Sequence, residues 1–213
     1  NTQRINSRIY NESQINYNRT FAEKHAISAM LLNLIYSTEN GVVGDDLQGS
    51  LPFRNHGISG SFSYSFDDRY LTSFSFGYNG SERFAKGHRY GFFPSVGLGW
   101  RISKEKFFEP ISDAVTNLKL RLTYGKAGND QIGEDRDRFF YLSNVDSNNG
   151  GFGAIFGQDF NYGRPGVLVS RYPNEEIGWE ESEQYNLGID LELYRSLNLT
   201  FDIFKQKRSN ILQ

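Results

Sequence analysis

The side chains most often used in catalysis are sparse and widely separated in this sequence. His25, His56 and His88 are single residues, so no His-x-x-x-His or Glu-x-x-His spacing is available to hold a metal ion. The sequence has no Cys, which excludes a disulfide framework, a thiol nucleophile and a thiolate metal site. Gly-x-Ser-x-Gly is absent, and Ser59 and Ser61 lie in a predicted strand. The sequence therefore predicts a protein that is not an enzyme.

Two acidic clusters have the oxygen ligands that Ca²⁺ prefers, namely Asp45-Asp46 and Glu134-Asp135-Arg136-Asp137. Neither has the spaced ligands of an EF-hand loop, so we expect solvated loop charges at both. The glycines of Gly80–Gly87 do not have phosphate-loop spacing. No metal ion or other cofactor is expected.

A long segment, Gly128–Ser182, carries the residues best suited to binding a ligand. Aromatic rings stack on the C–H faces of sugars, and amides and carboxylates hydrogen-bond to sugar hydroxyls. The aromatic residues here lie among glycines and the polar side chains Asn148, Asn149, Gln158, Asp159 and Asn161. They are Phe152, Phe156, Phe160, Tyr162 and Trp179. The alternative is that these aromatic residues pack the segment onto itself or onto a partner protein.

Composition restricts the elements that position these residues. The 213 residues include 18 Phe, 13 Tyr and 22 Gly, with a net charge of −2 and a mean hydropathy of −0.57. Abundant aromatic residues disfavour disorder and favour strands over helix bundles. The small net charge provides no general attraction to nucleic acid. No run of 18 apolar residues exists, but a membrane-spanning strand needs only about 9–11 residues that are apolar on one face.

Alternation with period two is strongest between Gly57 and Asn79. Even-numbered positions carry Ile, Phe, Tyr and Thr, and odd-numbered positions carry mostly Ser and Gly. Matching the two apolar faces pairs Phe66 with Tyr70 and leaves the three-residue turn Asp67–Arg69. Six further strands are predicted from similar patterns, within about Ser7–Phe21, His25–Thr38, Tyr90–Ile102, Leu118–Gly125, Tyr185–Leu193 and Leu197–Ile203.

Three details of these strands are expectations from local sequence. Pro94 cannot donate a ladder hydrogen bond, which predicts a bulge at that position. Both faces of His25–Thr38 are largely apolar, so the pattern does not assign its orientation. Inside the long segment, Arg138–Val145 is predicted as an additional strand.

The connections between the eight strands differ at the two ends of the sheet. Three-residue turns at Ala22–Lys24, Asp67–Arg69 and Tyr194–Ser196 alternate with much longer segments. Short turns at one rim and long loops at the other are typical of an outer-membrane barrel rather than a sandwich. Ser103–Thr116 is the exception on the short side, with Phe107 and Phe108 expected to pack against the rim. A soluble β-sandwich adhesin or carbohydrate-binding module is the alternative.

Several segments resemble the SusC/RagA-type TonB-linked transporters of the Bacteroidetes outer membrane. They occur in family order over most of Leu51–Leu212. The segments are Leu51-Pro52-Phe53-Arg54-Asn55, Phe66-Asp67-Asp68-Arg69-Tyr70, Phe76–Trp100, Leu120-Arg121-Leu122-Thr123-Tyr124-Gly125, Gly128-Asn129-Asp130-Gln131-Ile132-Gly133, Trp179-Glu180 and Phe204–Leu212. As a set these motifs are highly specific.

The resemblance implies an all-β, antiparallel, transmembrane barrel of 22 strands with a plugged lumen, of which this chain supplies about eight. Residues 1–213 are then part of one barrel domain, with an extracellular loop at about 128–182. No plug domain, TonB box, signal peptide or C-terminal aromatic residue is found in the sequence, so we expect an internal piece of the barrel. Polar rows such as Ser73, Ser75 and Asn79, or Lys119 and Arg121, are expected to face the lumen or the plug. Lys119 and Arg121 are expected either to pair with plug carboxylates or to be solvated.

The resemblance also implies a function and its partners. A SusD-like surface lipoprotein covers the barrel, the TonB complex pulls on the plug, and lipid surrounds the outer face. The cargo is an oligosaccharide or a peptide, with no nucleic acid involved; a siderophore or vitamin is the alternative cargo. The residues expected to contact cargo or the lipoprotein are Asn129, Asp130, Phe152, Phe156, Phe160, Tyr162 and Trp179.

Overall fold

The structure is a computed structural model, and it describes residues 6–40, 52–132 and 139–211. In these residues ten strands form, together with two short 3-10 helical segments, Ile102–Lys104 and Lys106–Ile111. The strands are β1 (Asn6–Phe21), β2 (His25–Asn40), β3 (Phe53–Phe66), β4 (Tyr70–Gly80), β5 (Tyr90–Arg101), β6 (Val115–Asn129), β7 (Asn144–Phe156), β8 (Tyr162–Arg171), β9 (Glu180–Leu193) and β10 (Leu197–Ser209).

Eight of the strands form one antiparallel sheet in the order β1-β2-β3-β4-β5-β6-β9-β10, as the alternation predicted. The other two, β7 and β8, pair only with each other in the described part of the chain and form a separate hairpin between β6 and β9. The additional strand predicted at Arg138–Val145 is wrong. Phe139–Leu142 form a turn, closed by a hydrogen bond from the Leu142 N–H to the Phe139 carbonyl at 2.9 Å, and the strand begins at Asn144.

The register places all apolar rows on one face of the sheet. The predicted Phe66–Tyr70 pair is confirmed. One row crosses all eight strands near the short turns: Phe21, His25, Phe66, Tyr70, Trp100, Leu120, Ile189 and Phe201. We call this side the apolar face and the opposite side the polar face.

The same register assigns the orientation of β2, which the sequence pattern left open. His25 pairs with Phe66 and Ile27 with Tyr64, so the odd-numbered residues of β2 lie on the apolar face. Met30 and Leu32 therefore lie on the polar face, opposite serine residues of β3. Pattern alone could not decide this, because neighbouring strands and not local sequence select the face.

The sheet is a single layer with its apolar face open. Phe92, Leu98 and Leu187 are each at least half exposed, and Phe201 is 62% exposed. In the described residues the buried apolar side chains are Phe84, Ala85, Phe108 and Ile132, all in connections rather than in the sheet. An apolar surface of this extent marks a contact with lipid or with another protein.

The three short turns share one backbone conformation. Each has two successive residues with positive φ, Ala22-Glu23, Asp67-Asp68 and Tyr194-Arg195, with φ between 47° and 59°. Each is closed by a hydrogen bond across the turn, such as the Arg69 N–H to the Phe66 carbonyl at 2.8 Å. Two central residues with positive φ match the right-handed twist of the paired strands.

Pro94 causes no bulge, so that prediction is wrong. The register between β4 and β5 runs unbroken through the pair Phe76–Pro94, and the ladder between β5 and β6 starts one residue later, at Ser95. Pro94 therefore lies just beyond that ladder, where a missing N–H leaves no gap. The irregularity in the eight-stranded sheet lies elsewhere, in β6 between Val115 and Asn117, near the short-turn end and opposite β9.

Candidate functional site

The connection between β4 and β5 builds a small buried core at the end of the sheet where the long connections lie. Phe84 is fully buried, and its ring centroid lies 5.4 Å from that of Trp179. Phe93, on the polar face of β5, lies 5.1 Å from Trp179 on the same measure. Ile132 is 7% exposed, and its carbonyl accepts a hydrogen bond from the Arg83 guanidinium of the same β4–β5 connection. We call Phe84, Phe93 and Trp179 the base cluster.

One hydrogen bond and one glycine fix the orientation of the rings in the base cluster. The Trp179 indole N–H donates to the Arg89 carbonyl at 3.2 Å, which satisfies the one polar atom of the ring. A Cβ on Gly128 of β6 would overlap the Phe93 ring. The ring can lie across β6 only because residue 128 has no side chain.

Asn129 and Asp130 lie next to the base cluster, where β6 ends. The Asn129 amide donates to the Glu180 carboxylate at 3.0 Å, and its carbonyl oxygen accepts from the Gln131 N–H at 3.0 Å. The Asp130 backbone carbonyl accepts from the Ile132 N–H at 2.9 Å. These bonds hold the chain where it leaves β6 and returns as β9.

The other four predicted contact residues lie on the β7–β8 hairpin and are exposed. Phe152, Phe156 and Phe160 are 62%, 54% and 77% exposed, and Tyr162 is 49% exposed. Phe156 and Tyr162 are paired across the hairpin, next to the turn that carries Phe160. Phe160 has φ of 49°, a left-handed conformation that is uncommon for a bulky residue. The turn therefore holds a large apolar side chain outward at a conformational cost.

The structure thus divides the seven predicted residues into two groups. Asn129, Asp130 and Trp179 belong to the base of the connection, where their described contacts are within the chain. Phe152, Phe156, Phe160 and Tyr162 present rings to solvent on the hairpin. The second group carries the more exposed rings, whereas the Trp179 ring is half-buried.

A charged network on the polar face joins residues that the sequence pattern does not identify as partners. Arg121 of β6 binds Asp190 of β9 in a bidentate fashion, with N–O distances of 2.8 and 3.0 Å, and reaches Asp202 of β10 at 3.2 Å. Asn186 also donates to Asp202, at 3.0 Å. Gly188 lies beneath the guanidinium group, and its Cβ would be 2.8 Å from Arg121 Nη2.

The network gives Arg121 partners beyond the two expected environments, which were the lumen solvent and the plug carboxylates. Asp190 and Asp202 supply its partners from within the sheet. Both occupy the polar parity of their strands, so a row-by-row comparison of polar positions on β6, β9 and β10 would have suggested them. The local pattern does not show that β6 lies beside β9.

Two of the three histidines have ordinary hydrogen-bond partners. His25 Nδ1 lies 2.8 Å from the Tyr64 hydroxyl, and His56 contacts Tyr90 at 3.2 Å and Asn33 at 3.1 Å. The described residues contain no cluster of three or more His, Asp or Glu that could hold a metal ion. The acidic clusters at residues 45–46 and 134–137 lie outside the described residues.

None of the helices in the described residues has the length and apolar character needed to span a membrane.

The fold defines a class of protein. It is an antiparallel sheet with one apolar and one polar face, and its long connections lie at one end. The TonB dependent receptor-like, beta-barrel family model matches residues 3–213. The chain therefore belongs to the TonB-dependent receptor β-barrel family, whose members are outer-membrane proteins. This membership confirms the expected non-enzymatic class and excludes the soluble β-sandwich.

Individual relatives agree with the family match. The chain is 30% identical to TonB-dependent receptor P39 of Formosa agariphila over 226 residues, covering 95% of the chain and 20% of the receptor. It is 37% identical to TonB-dependent receptor SusC of Bacteroides thetaiotaomicron over 132 residues, covering 62% and 12%. The chain thus spans about one fifth of the length of receptor P39.

Solved structures show the same fold. The RagAB peptide importer in its closed-closed state matches with a TM-score of 0.69 and 22% identity, covering 96% of this chain and 24% of that one. The open-open state of the same importer matches with a TM-score of 0.64 and 22% identity, covering 94% and 24%. The predicted resemblance to the SusC/RagA type is confirmed.

Proposed function

We propose that this chain is part of the barrel of a TonB-dependent transporter that imports a nutrient oligomer across the outer membrane. The observation that carries the proposal is family membership combined with the two faces of the sheet. Leu98 and Phe201 on the apolar face are 50% and 62% exposed. Rows of exposed apolar side chains are typical of the lipid-facing side of a membrane barrel. The opposite face carries the Arg121–Asp190–Asp202 network and a groove of about 490 Å³ lined largely by Ser, Thr and Gly, which suits a lumen.

Residues 128–182 then form the extracellular connection that contacts cargo or a lid. The hairpin within it supports this, because Phe152, Phe156, Phe160 and Tyr162 are solvent-accessible. Amide and carboxylate side chains lie beside them: Asp146 accepts from Asn149 at 3.0 Å, and Asn149 accepts from the Gly151 N–H at 3.0 Å. Asn129, Asp130 and Trp179 take part as the residues that hold the base of this connection in position.

The cargo that fits this surface is a glycan oligomer. Exposed aromatic rings next to short polar side chains offer stacking platforms and hydrogen-bond partners, which suits a neutral, hydroxyl-rich ligand. A peptide is the second candidate, and it is favoured by the structural similarity to an assembly described as a peptide importer. A siderophore or vitamin is the remaining candidate cargo.

Two protein partners follow from the same proposal. A SusD-like surface lipoprotein closes the barrel from outside, as the similarity to SusC and to the two-protein RagAB assembly suggests. The TonB complex supplies energy through a plug domain of the full transporter. Deleting TonB is therefore expected to abolish uptake without changing the amount of transporter in the membrane.

The test uses the full transporter with its lipoprotein, carrying Phe152→Ser, Phe156→Ser, Phe160→Ser and Tyr162→Ser together. The matched control is Ile155→Ser with Val167→Ser, because these two aliphatic residues are 62% and 61% exposed on the same hairpin. Uptake of a labelled oligosaccharide mixture and of a labelled peptide mixture is measured beside membrane level and co-purification of the lipoprotein. A loss of about 2 kcal/mol over the four aromatic contacts weakens binding about 30-fold.

The outcomes separate the alternatives. Selective loss of oligosaccharide uptake in the aromatic variant supports a glycan, and selective loss of peptide uptake supports a peptide. Loss of lipoprotein co-purification identifies the hairpin as a lid contact. Unchanged uptake and unchanged lipoprotein association in the aromatic variant contradict the role proposed for the hairpin.

A further inference from the structure

Two large apolar side chains are exposed in the connection between β5 and β6. Phe107 is 67% exposed and Ile111 is 52% exposed, and both belong to the 3-10 segment Lys106–Ile111. Phe108, between them, is only 4% exposed and fixes the segment to the protein. Phe108 therefore anchors the segment, which presents the apolar side chains Phe107 and Ile111 to the surroundings.

The path of the chain shows which side of the sheet this segment occupies. Lys104 and Arg101 both contact Asp68, at 3.1 and 3.4 Å, and Arg101 lies on the polar face. One residue later, the Glu105 carboxylate accepts hydrogen bonds from Tyr70 and Trp100, which lie on the apolar face. The chain crosses the rim between residues 104 and 105, so the segment that follows starts on the apolar side.

Tyr70 and Trp100 mark the level of a polar boundary at this rim. Their rings belong to the apolar row, while the Tyr70 hydroxyl and the Trp100 indole N–H point to Glu105 at 2.8 and 3.1 Å. These two donors, with the Arg69 guanidinium at 3.4 Å, lower the pKa of Glu105, which stays charged at neutral pH. Aromatic rings with an apolar body and a hydrated tip are typical of membrane interfaces.

We infer that the segment Lys106–Ile111 lies in the membrane interface at the short-turn end and inserts Phe107 and Ile111 among the lipid chains. Lipid is the occupant because the segment follows Glu105, which contacts Tyr70 and Trp100 of the apolar face, and presents two large exposed apolar side chains on that side of the rim. Lys106 and Glu109 alternate with the apolar side chains and remain at the level of the headgroups. The inference rests on the outer-membrane location proposed above.

The test measures lipid exposure at single positions in the full transporter. The 213 residues contain no Cys, so Phe107→Cys and Ile111→Cys each introduce one label site in this region. Each variant, with any cysteine elsewhere in the transporter replaced, is labelled with a nitroxide and placed in vesicles of phosphatidylethanolamine and phosphatidylglycerol. Accessibility to oxygen, which concentrates in lipid, is compared with accessibility to a water-soluble nickel complex.

Two controls define the scale. Leu98→Cys reports the apolar face, where residue 98 is 50% exposed, and Glu23→Cys reports an exposed short turn on the aqueous side. We expect the oxygen-to-nickel ratio at residues 107 and 111 to match that at residue 98 and to exceed that at residue 23 several-fold.

Each other outcome overturns the inference in an identifiable way. Ratios at 107 and 111 that match residue 23, with residue 98 in lipid, overturn it and leave the proposed location intact. Low accessibility to both reagents means that protein covers the segment. An aqueous ratio at residue 98 overturns the membrane location itself.

Discussion

The base cluster and the β7–β8 hairpin place the same residue types in opposite environments. Phe84 is completely buried and Trp179 donates its indole N–H to a backbone carbonyl, whereas Phe160 is 77% exposed at a turn with positive φ. Both regions lie in or beside the connections at one end of the sheet. An aromatic residue near a proposed binding surface is therefore not by itself evidence of binding, since burial and hydrogen bonding decide its role.

The difference also separates stability from recognition. Rings of the base cluster contribute to the free energy of unfolding of the connection, because removing them leaves a cavity. Rings of the hairpin contribute little to that free energy and are free to contact another molecule. Matched substitutions in the two regions measure this difference directly.

The largest effect is expected from truncating the buried ring. Phe84→Ala should lower the free energy of local unfolding by about 3–5 kcal/mol, because transfer and cavity costs add at a fully buried site. The measurement is hydrogen exchange of the amides in residues 81–89 of the full transporter, where the Ser81 N–H donates to the Arg89 carbonyl at 3.0 Å.

Phe160→Ala is the control for that experiment and should change local stability by less than about 0.5 kcal/mol. Equal loss of protection in the two variants would contradict the division into a structural and an exposed group.

A smaller effect is expected from adding one methyl group in each region. Gly128→Ala places a Cβ against the Phe93 ring and should cost about 1–3 kcal/mol through overpacking. Gly163→Ala in the hairpin meets nothing within 4 Å and should be close to neutral. Urea titration of both full-length variants, followed by the same amide exchange, tests the pair; a neutral Gly128→Ala would show that Phe93 can move away freely.

The smallest effect concerns pH and the hairpin. The Asn148 N–H, with the Asn149 amide, lowers the pKa of the Asp146 carboxyl. A carboxyl whose folded pKa lies below its unfolded value stabilises the fold above the unfolded pKa, and this contribution is lost as pH falls through the folded value. The protection factor of the Asn148 amide should therefore fall below pH of about 4, the ordinary range of Asp.

Asp146→Asn is the comparison for the pH experiment, since it removes the charge and should remove the pH dependence. The base cluster should keep its protection over the same pH range, because its rings carry no carboxyl. If the base cluster loses protection first, the two regions are coupled and the comparison fails.

Much of the sheet was predictable because its signal is local. Alternation from Gly57 to Asn79 assigned the faces of β3 and β4, and parity alone fixed the pair Phe66–Tyr70 and its three-residue turn. The bulge at Pro94 was predicted wrongly, since the cost of a missing N–H depends on whether the neighbouring ladder reaches that residue.

The candidate site was predicted less completely. The sequence drew attention to the aromatic residues of the long connection but could not separate Trp179 from Phe160, because both lie among glycines and polar residues. Arg121 was expected to be solvated or to pair with carboxylates of the plug. The pattern did not indicate its partners Asp190 and Asp202, which are 69 and 81 residues away along the chain.

The sequence by itself therefore determined strand type, the faces of most strands, the asymmetry of the connections and the family. These follow from the period of side-chain orientation and from motif order, which need no knowledge of neighbours. Only the tertiary structure decided which face β2 presents, which strand lies beside β6 and which aromatic residues are buried. Those features depend on contacts between residues distant in sequence, and such contacts exist only after the strands have paired.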